Sequence, residues 1–289
     1  MFGLLNLDKP RGATSRDVVN RIQRLAGRAK VGHAGTLDPL ATGVLVVCVG
    51  PATRLIEYIQ RMPKRYHGTF LLGRKSDTED IEGEVQQLPD APQPTEEQLR
   101  VALPRFVGEI EQVPPAYSAL KVQGRRAYKL ARAGKSVDLK PRTIIVHELL
   151  LLRYVYPEFE LAIACGSGTY VRSLGRDIAK ALGTEAVMSA LIRTAIGDFR
   201  VEDALDVESL TSDNLASKLL SPLKGLTNLP HITLDENERR RLSQGLAIED
   251  RWTVGAEELA AIDSAGRLCS ILSAAAGRQL RPNRNFPID

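Results

Sequence analysis

Lys30-Val31-Gly32-His33-Ala34-Gly35-Thr36-Leu37-Asp38-Pro39-Leu40-Ala41-Thr42-Gly43-Val44-Leu45 passes from a glycine-rich stretch into the apolar run Val44-Leu45-Val46-Val47-Cys48-Val49. The run reads as a buried strand, because branched side chains suit a packed, pleated surface. The stretch before it reads as an irregular loop. Pro39 pushes Asp38 away from helical backbone, and Gly32, Gly35 and Gly43 let the chain turn sharply around it. A carboxylate is thus offered from a loop leading into a core strand. Taken alone, Asp-Pro is ordinary turn chemistry.

Working outward, Thr14 and Asp17 form a capping pattern ahead of Val18, Val19, Ile22, Leu25 and Ala26, which recur at helical spacing. Residues 65–72 read as another strand, and three prolines within 89–95 mark a surface linker before a helix at about 96–106. Apolar runs at 143–156 and 158–165 meet at Pro157 as an antiparallel hairpin, which Gly166-Ser167-Gly168 breaks. Val171, Leu174, Ile178 and Leu182 predict a helix ended by Gly183, and a shorter helix is predicted over 186–193. Beyond about Leu226 short apolar segments alternate with turn residues, predicting a small, mostly β unit. The fold class is α+β.

The 289 residues suit one large domain with an appendage, and 43% hydrophobic with 26% charged residues is ordinary for a soluble globular chain. At 5% aromatic, stacking cannot be the main binding device of its surface. The net charge of +4 is compatible with a polyanion without demanding one. Arg11, Arg16, Arg21, Arg24, Arg28 and Lys30 crowd one segment, and Lys121, Arg125, Arg126, Lys129, Arg132 and Lys135 another; both are candidates for phosphate contact. Cys48, Cys165 and Cys269 are isolated in apolar surroundings, indicating neither a disulfide framework nor a zinc site. The opening Met1-Phe2-Gly3-Leu4-Leu5 lacks the pattern of a secretory leader, and no apolar run reaches the roughly 20 residues that span a bilayer. A cytoplasmic setting is expected.

The whole stretch from Lys30 to Leu45 resembles the signature of the TruB family, the bacterial tRNA pseudouridine-55 synthases. Further blocks stand in family order: Leu7-Asp8-Lys9-Pro10 with Gly12 and Ser15, Lys64-Arg65-Tyr66, Asp77-Thr78-Glu79-Asp80 with Gly83, Tyr117-Ser118-Ala119-Leu120-Lys121, and Gly168-Thr169-Tyr170-Val171-Arg172. They cover about the first two-thirds of the chain. The resemblance implies a pseudouridine synthase catalytic domain over 1–225, with a mixed, largely antiparallel sheet flanked by helices and a thumb-like insertion at about 117–142. A PUA-like RNA-binding β domain is implied over 226–289.

It further implies that Asp38, Arg172 and Tyr170 form the catalytic set: Asp38 acts on the ribosyl bond of a target uridine, Arg172 pairs with Asp38, and Tyr170 lies beside the flipped base to help remove the C5 proton. Tyr66 becomes a base-stacking platform and Leu191 an apolar wall. His33 serves binding and flipping, and Lys9 and Lys121 join the substrate-binding set. Isomerisation breaks the bond from C1′ to N1, turns the uracil and joins C5 to C1′, for which a carboxylate can serve as a nucleophile or charge stabiliser at C1′, or remove the C2′ proton through a glycal intermediate. Nothing is oxidised and no outside group enters, so no cofactor or metal is required. The implied partner is the T-arm of tRNA, engaged by a monomer without an obligatory protein partner or membrane.

Two other readings compete. One is a tRNA-binding or tRNA-folding factor whose isomerase activity is secondary. The other is a hydrolytic N-glycosidase, which needs a second group to activate water; no other acid in the sequence neighbourhood of Asp38 is an obvious base.

Overall fold

The computed structural model describes residues 1–118, 120–122, 125–126, 130 and 139–287. The chain opens with β1 (Gly3–Lys9), α1 (Ser15–Ala26), the short β2 (Val31–His33) and β3 (Thr42–Val49), followed by α2 (Ile56–Arg61) and β4 (Lys64–Leu72). Next come α3 (Glu96–Ala102), β5 (Gly108–Gln112), the hairpin β6 (Arg142–Val155) and β7 (Glu158–Cys165), then α4 (Val171–Ala181), β8 (Ala186–Ile196) and β9 (Leu205–Asp206). These strands belong to a ten-stranded sheet whose main path is β9-β1-β3-β8-β4-β7-β6-β5. The β1/β9 and β3/β8 pairs are parallel and the other neighbours on this path antiparallel. The sheet is therefore mixed and largely antiparallel, as the family resemblance implies.

The continuous apolar run of β3 has a direct physical cause. Leu45, Val47 and Val49 pack with Val18, Val19 and Ile22 of α1, whereas Val44, Val46 and Cys48 join a second core with Tyr58 and Ile59 of α2. A strand buried on both faces has no place for polar alternation. Thr14 caps α1 through a reciprocal capping box with Asp17. Helix α4 lies against β4, where Gly175 is required: a Cβ there would stand 2.2 Å from the Phe70 ring. Phe70 is itself fixed by stacking on Phe159, with ring centroids 5.0 Å apart.

Residues 186–196 form a strand, correcting the helix predicted over 186–193. Ala, Met and Leu are good helix formers, but here both edges are claimed, by β4 along the length and by β3 at Ile192 and Arg193. Tertiary pairing overrides local preference. The helix predicted over 96–106 ends as α-helix at Ala102 and continues as a 3₁₀ turn from Leu103 to Phe106 around Pro104.

The C-terminal β domain contains β10 (His231–Thr233), α5 (Glu236–Ser243), β11 (Ile248–Glu249), β12 (Glu258–Ile262), β13 (Leu268–Ala275) and β14 (Gln279–Asn285), in sheet order β10-β12-β13-β14-β11. It shares a core with the large sheet: Ala260, Leu268, Ile271 and Phe286 pack into the cluster containing Leu4, Val44 and Ile196. Phe286 stacks on Phe2, and the Tyr58 hydroxyl donates to the Glu258 carboxylate at 2.9–3.0 Å. Arg284 reaches back to Glu57. Among the described residues no helix is long and apolar enough to cross a membrane.

Candidate active site

The Asp38 loop is suspended from both sides by main-chain hydrogen bonds. Ser15 Oγ, at the start of α1, accepts from Leu37 N at 2.8 Å and donates to Leu37 O at 3.1 Å. Gly12 N donates to Pro39 O at 2.8 Å. From β8, Arg193 Nη2 and Nη1 donate to Gly35 O and Thr36 O at 3.1 and 3.3 Å, and its Nε donates to Val44 O at 2.7 Å. The residues flanking Asp38 are thereby fixed while its carboxylate stays available. Gly43 lets β8 come this close: its φ is +95°, and a Cβ there would lie 2.3 Å from Arg193 O.

Asp38 faces Arg172, near the start of α4, with Nε 3.0 Å from Asp38 Oδ2. The arginine side chain is only 7% exposed, against 36% for Asp38. A second carboxylate, Asp80, approaches Arg172 Nη1 at 3.4 Å and is itself buried. The remaining donors of Arg172 go to Thr78 O at 2.5 Å and Tyr117 O at 3.0 Å. Asp80 in turn accepts from Thr78 Oγ1 at 2.6 Å and Glu82 N at 3.0 Å. The loop carrying Asp80 is clamped to α4, since Glu79 accepts from Ser173 Oγ at 2.7 Å and pairs with Arg176. Arg172 cannot swing without breaking several charge-assisted bonds.

A cavity of about 580 Å³ opens on this pair, with Asp38, Tyr66, Tyr170, Arg172, Leu191 and Arg193 in its wall. The structure thus brings together the two sides of the expected site, from residues 35–38 and 166–172, with Tyr66 and Leu191 between them. Asp38 is the one carboxylate among the described residues lining the cavity. Tyr66, buried on β4, has its phenol pushed up by burial, against the pull of the Arg193 charge. Tyr170 ends the loop before α4, its main chain tied to Gln112 in both directions at 2.9 and 3.1 Å. Burial also raises its phenol, with Ser118 opposing, so at neutral pH it is a hydrogen-bond donor rather than a phenolate base.

Lys9 stands differently from the expectation that it contacts substrate. It is fully buried, and its ammonium donates to Ala13 O at 2.6 Å, Pro10 O at 2.9 Å and Pro39 O at 3.3 Å. All three donors are occupied, so it braces the Asp38 loop from beneath. Burial lowers it to about 8, against the charge of Asp38. His33 is half-buried at the end of β2, outside the cavity wall, with its imidazole pushed down by burial. The side chain of Lys121, and most of the insertion expected over 117–142, lie outside the described residues.

Sequence reasoning missed Arg193 and Lys64. Lys64 precedes Tyr66 by two residues on β4 and so shares its face; it lines the cavity, and burial lowers it to about 8. Arg193 follows Leu191 by two on β8. Period-two spacing marks Lys64 once the strand read over 65–72 is extended by one residue, and marks Arg193 once 186–193 is read as a strand.

The mixed, largely antiparallel sheet flanked by helices has the pseudouridine synthase fold, and on it one cavity-lining carboxylate faces a buried arginine. Solved structures support the fold. A crystal structure of a Cbf5-Nop10-Gar1 complex matches with a TM-score of 0.75 at 24% identity, covering 99% of this chain and 85% of that one. An H/ACA RNP bound to a substrate RNA containing 2′-deoxyuridine matches at 0.74 and 23%, covering 99% and 86%.

The profile of the TruB family pseudouridylate synthase N-terminal domain matches residues 23–171. The tRNA pseudouridine synthase B of Rhodospirillum rubrum is 48% identical over 250 residues, covering 85% of this chain and 81% of that protein. That of Caldanaerobacter subterraneus subsp. tengcongensis is 39% identical over 285 residues, covering 98% and 99%. The chain belongs to the TruB family of pseudouridylate synthases.

Proposed function

We propose that this protein isomerises uridine to pseudouridine at position 55 in the T-loop of tRNA, with Asp38 as the essential group at the ribosyl bond. The observation that carries the reading is Asp38 itself, fixed by its loop, paired with Arg172, and without a second carboxylate in the described cavity wall. An isomerase keeps the detached uracil beside C1′ and excludes water. A hydrolase needs a further base to activate water.

In this reading the target nucleotide is extruded, at a cost of a few kcal/mol of lost stacking, and the uracil enters between Tyr66, Leu191 and Tyr170. Asp38 meets C1′ as the bond to N1 breaks. The freed ring turns, C5 joins C1′, and the C5 proton leaves while N1 gains one, so the reaction balances without a redox partner. Tyr66 and Leu191 bound the ring, and Arg172 keeps the Asp38 carboxylate aimed. Residues 1–225 act as the catalytic domain and 226–289 as an RNA-binding appendage. The near full-length match to a relative named tRNA pseudouridine synthase B supports a tRNA substrate; in this reading the protein works in the cytoplasm as a monomer without an obligatory protein partner.

Incubation of the purified protein with a tRNA transcript, followed by nuclease digestion and mass spectrometry, tests the proposal. Pseudouridine of unchanged nucleoside mass is expected at position 55, and none when that uridine is replaced by cytidine. Release of free uracil would identify a hydrolase instead, and conversion at other positions alone would refute the T-loop assignment.

A further inference from the structure

Arg193 is among the largest fully buried side chains of the protein, yet the described hydrogen bonds of its guanidinium go to neutral main-chain carbonyls and it forms no ion pair among the described residues. Removing such a charge from water costs several kcal/mol even after relaxation. A buried guanidinium without a carboxylate leaves net positive charge in its surroundings, and here those surroundings are the cavity wall. Its position follows from the sheet: Arg193 stands opposite Tyr66 in the β8/β4 register and opposite Gly43 in the β8/β3 register. One side chain thus holds the loop that carries Asp38 and stands beside Tyr66 in the cavity wall.

The polarity of this contact matters. A guanidinium can only donate, so a phenol oxygen beside it accepts and turns its own proton elsewhere. Tyr66 lines the cavity, so that proton has the cavity open to it. Breaking the bond from C1′ to N1 leaves its electron pair on the uracil, where it spreads to the ring carbonyl oxygens. A carboxylate then stands on the ribose side and an arginine-oriented hydroxyl on the base side. Preorganised donors aimed at developing charge are among the strongest devices available to a water-excluded site.

We propose that Arg193 is a positioning residue that fixes the Asp38 loop and aims the Tyr66 hydroxyl at a carbonyl oxygen of the detached uracil. The proposal rests on the isomerase reading above. It makes Tyr66 a hydrogen-bond donor to the leaving base in addition to a surface for it. It also gives the Gly43 position a second purpose, as the gap through which β8 delivers Arg193 to the loop.

The test compares full-length wild type with R193K, R193M, Y66F and R193K/Y66F, using single-turnover pseudouridine formation, tRNA affinity, thermal unfolding and hydrogen exchange of residues 34–41. R193K keeps the charge but loses the fork, so its rate is expected to fall about 30-fold or more, with affinity within about threefold and a melting temperature within about 5 °C. Y66F is expected to slow wild type by about tenfold but R193K by less than about threefold, because the hydroxyl has already lost its aim. Amides 34–41 should exchange faster in R193M while the rest of the sheet is unchanged. The proposal is overturned by an R193K rate within threefold of wild type, by equal Y66F effects in both backgrounds, or by rate losses that merely track melting temperature. If wild type forms no pseudouridine, the isomerase reading fails on its own. Hydrogen exchange then still decides the brace, and unaltered protection of residues 34–41 in R193M refutes it.

Discussion

Replacing Arg172 with methionine removes the group shared by Asp38 and Asp80, and the structure sets what each should lose. Asp38 is about one-third exposed, so losing its partner returns it to water at a cost of about 1 kcal/mol or less. Asp80 is 4% exposed at its side chain, and breaking a buried pair from one side costs about 3–5 kcal/mol. It keeps the donors Thr78 Oγ1 and Glu82 N, which favours the lower end of that range. The carbonyls of Thr78 and Tyr117 also lose a donor. A total near 4 kcal/mol is expected from urea unfolding at neutral pH. In R172M/D80N no buried charge is left unpaired, so about 2 kcal/mol should return, while pseudouridine formation stays abolished in both variants. Stability and activity thus separate. If R172M costs the same in the wild-type and D80N backgrounds, the pair does not exist as described; if D80N restores turnover, Arg172 serves only folding.

Two further outcomes follow from the cavity wall. The folded pKa of Lys64 lies near 8, below the unfolded value of 10.5, so the unfolded chain holds the extra proton between those values and this residue makes stability rise with pH through that window. The K64M variant should show a slope between pH 8 and 9.5 that is less positive than wild type, by up to about 2 kcal/mol across the interval; an unchanged slope would show that Lys64 is not a buried ammonium with a lowered pKa. Gly43→Ala should cost at least about 2 kcal/mol more than Gly277→Ala. Both have positive φ, but only a Cβ at position 43 meets backbone, whereas position 277 is open, and equal costs would show that β8 does not press on the loop.

How much of this was legible depended on whether the cause was local. The β3 run, the capped α1, the hairpin at Pro157 and the helix stopped at Gly183 each carry their cause in adjacent residues, and each lies where expected. Residues 186–196 do not, because their strand state comes from β3 and β4 on either side. That misreading hid Arg193, whose spacing from Leu191 has meaning only on a strand. Lys9 was legible as a motif member but not as a brace, since its carbonyl partners are gathered by the turn from β1 into α1 and by the Asp38 loop. The pairing of Asp38 with Arg172 rested on family resemblance, because nothing in local periodicity joins two segments so far apart in the chain.

The role of Asp38 is tested by release of the C5 hydrogen from labelled tRNA by the Asp38→Asn variant. The isostere keeps the shape of the loop and removes the charge facing Arg172. Turnover at background is expected, with tRNA affinity within about tenfold of wild type, because phosphate contacts dominate the affinity of proteins for nucleic acid. Retained turnover with a folded variant would contradict that role.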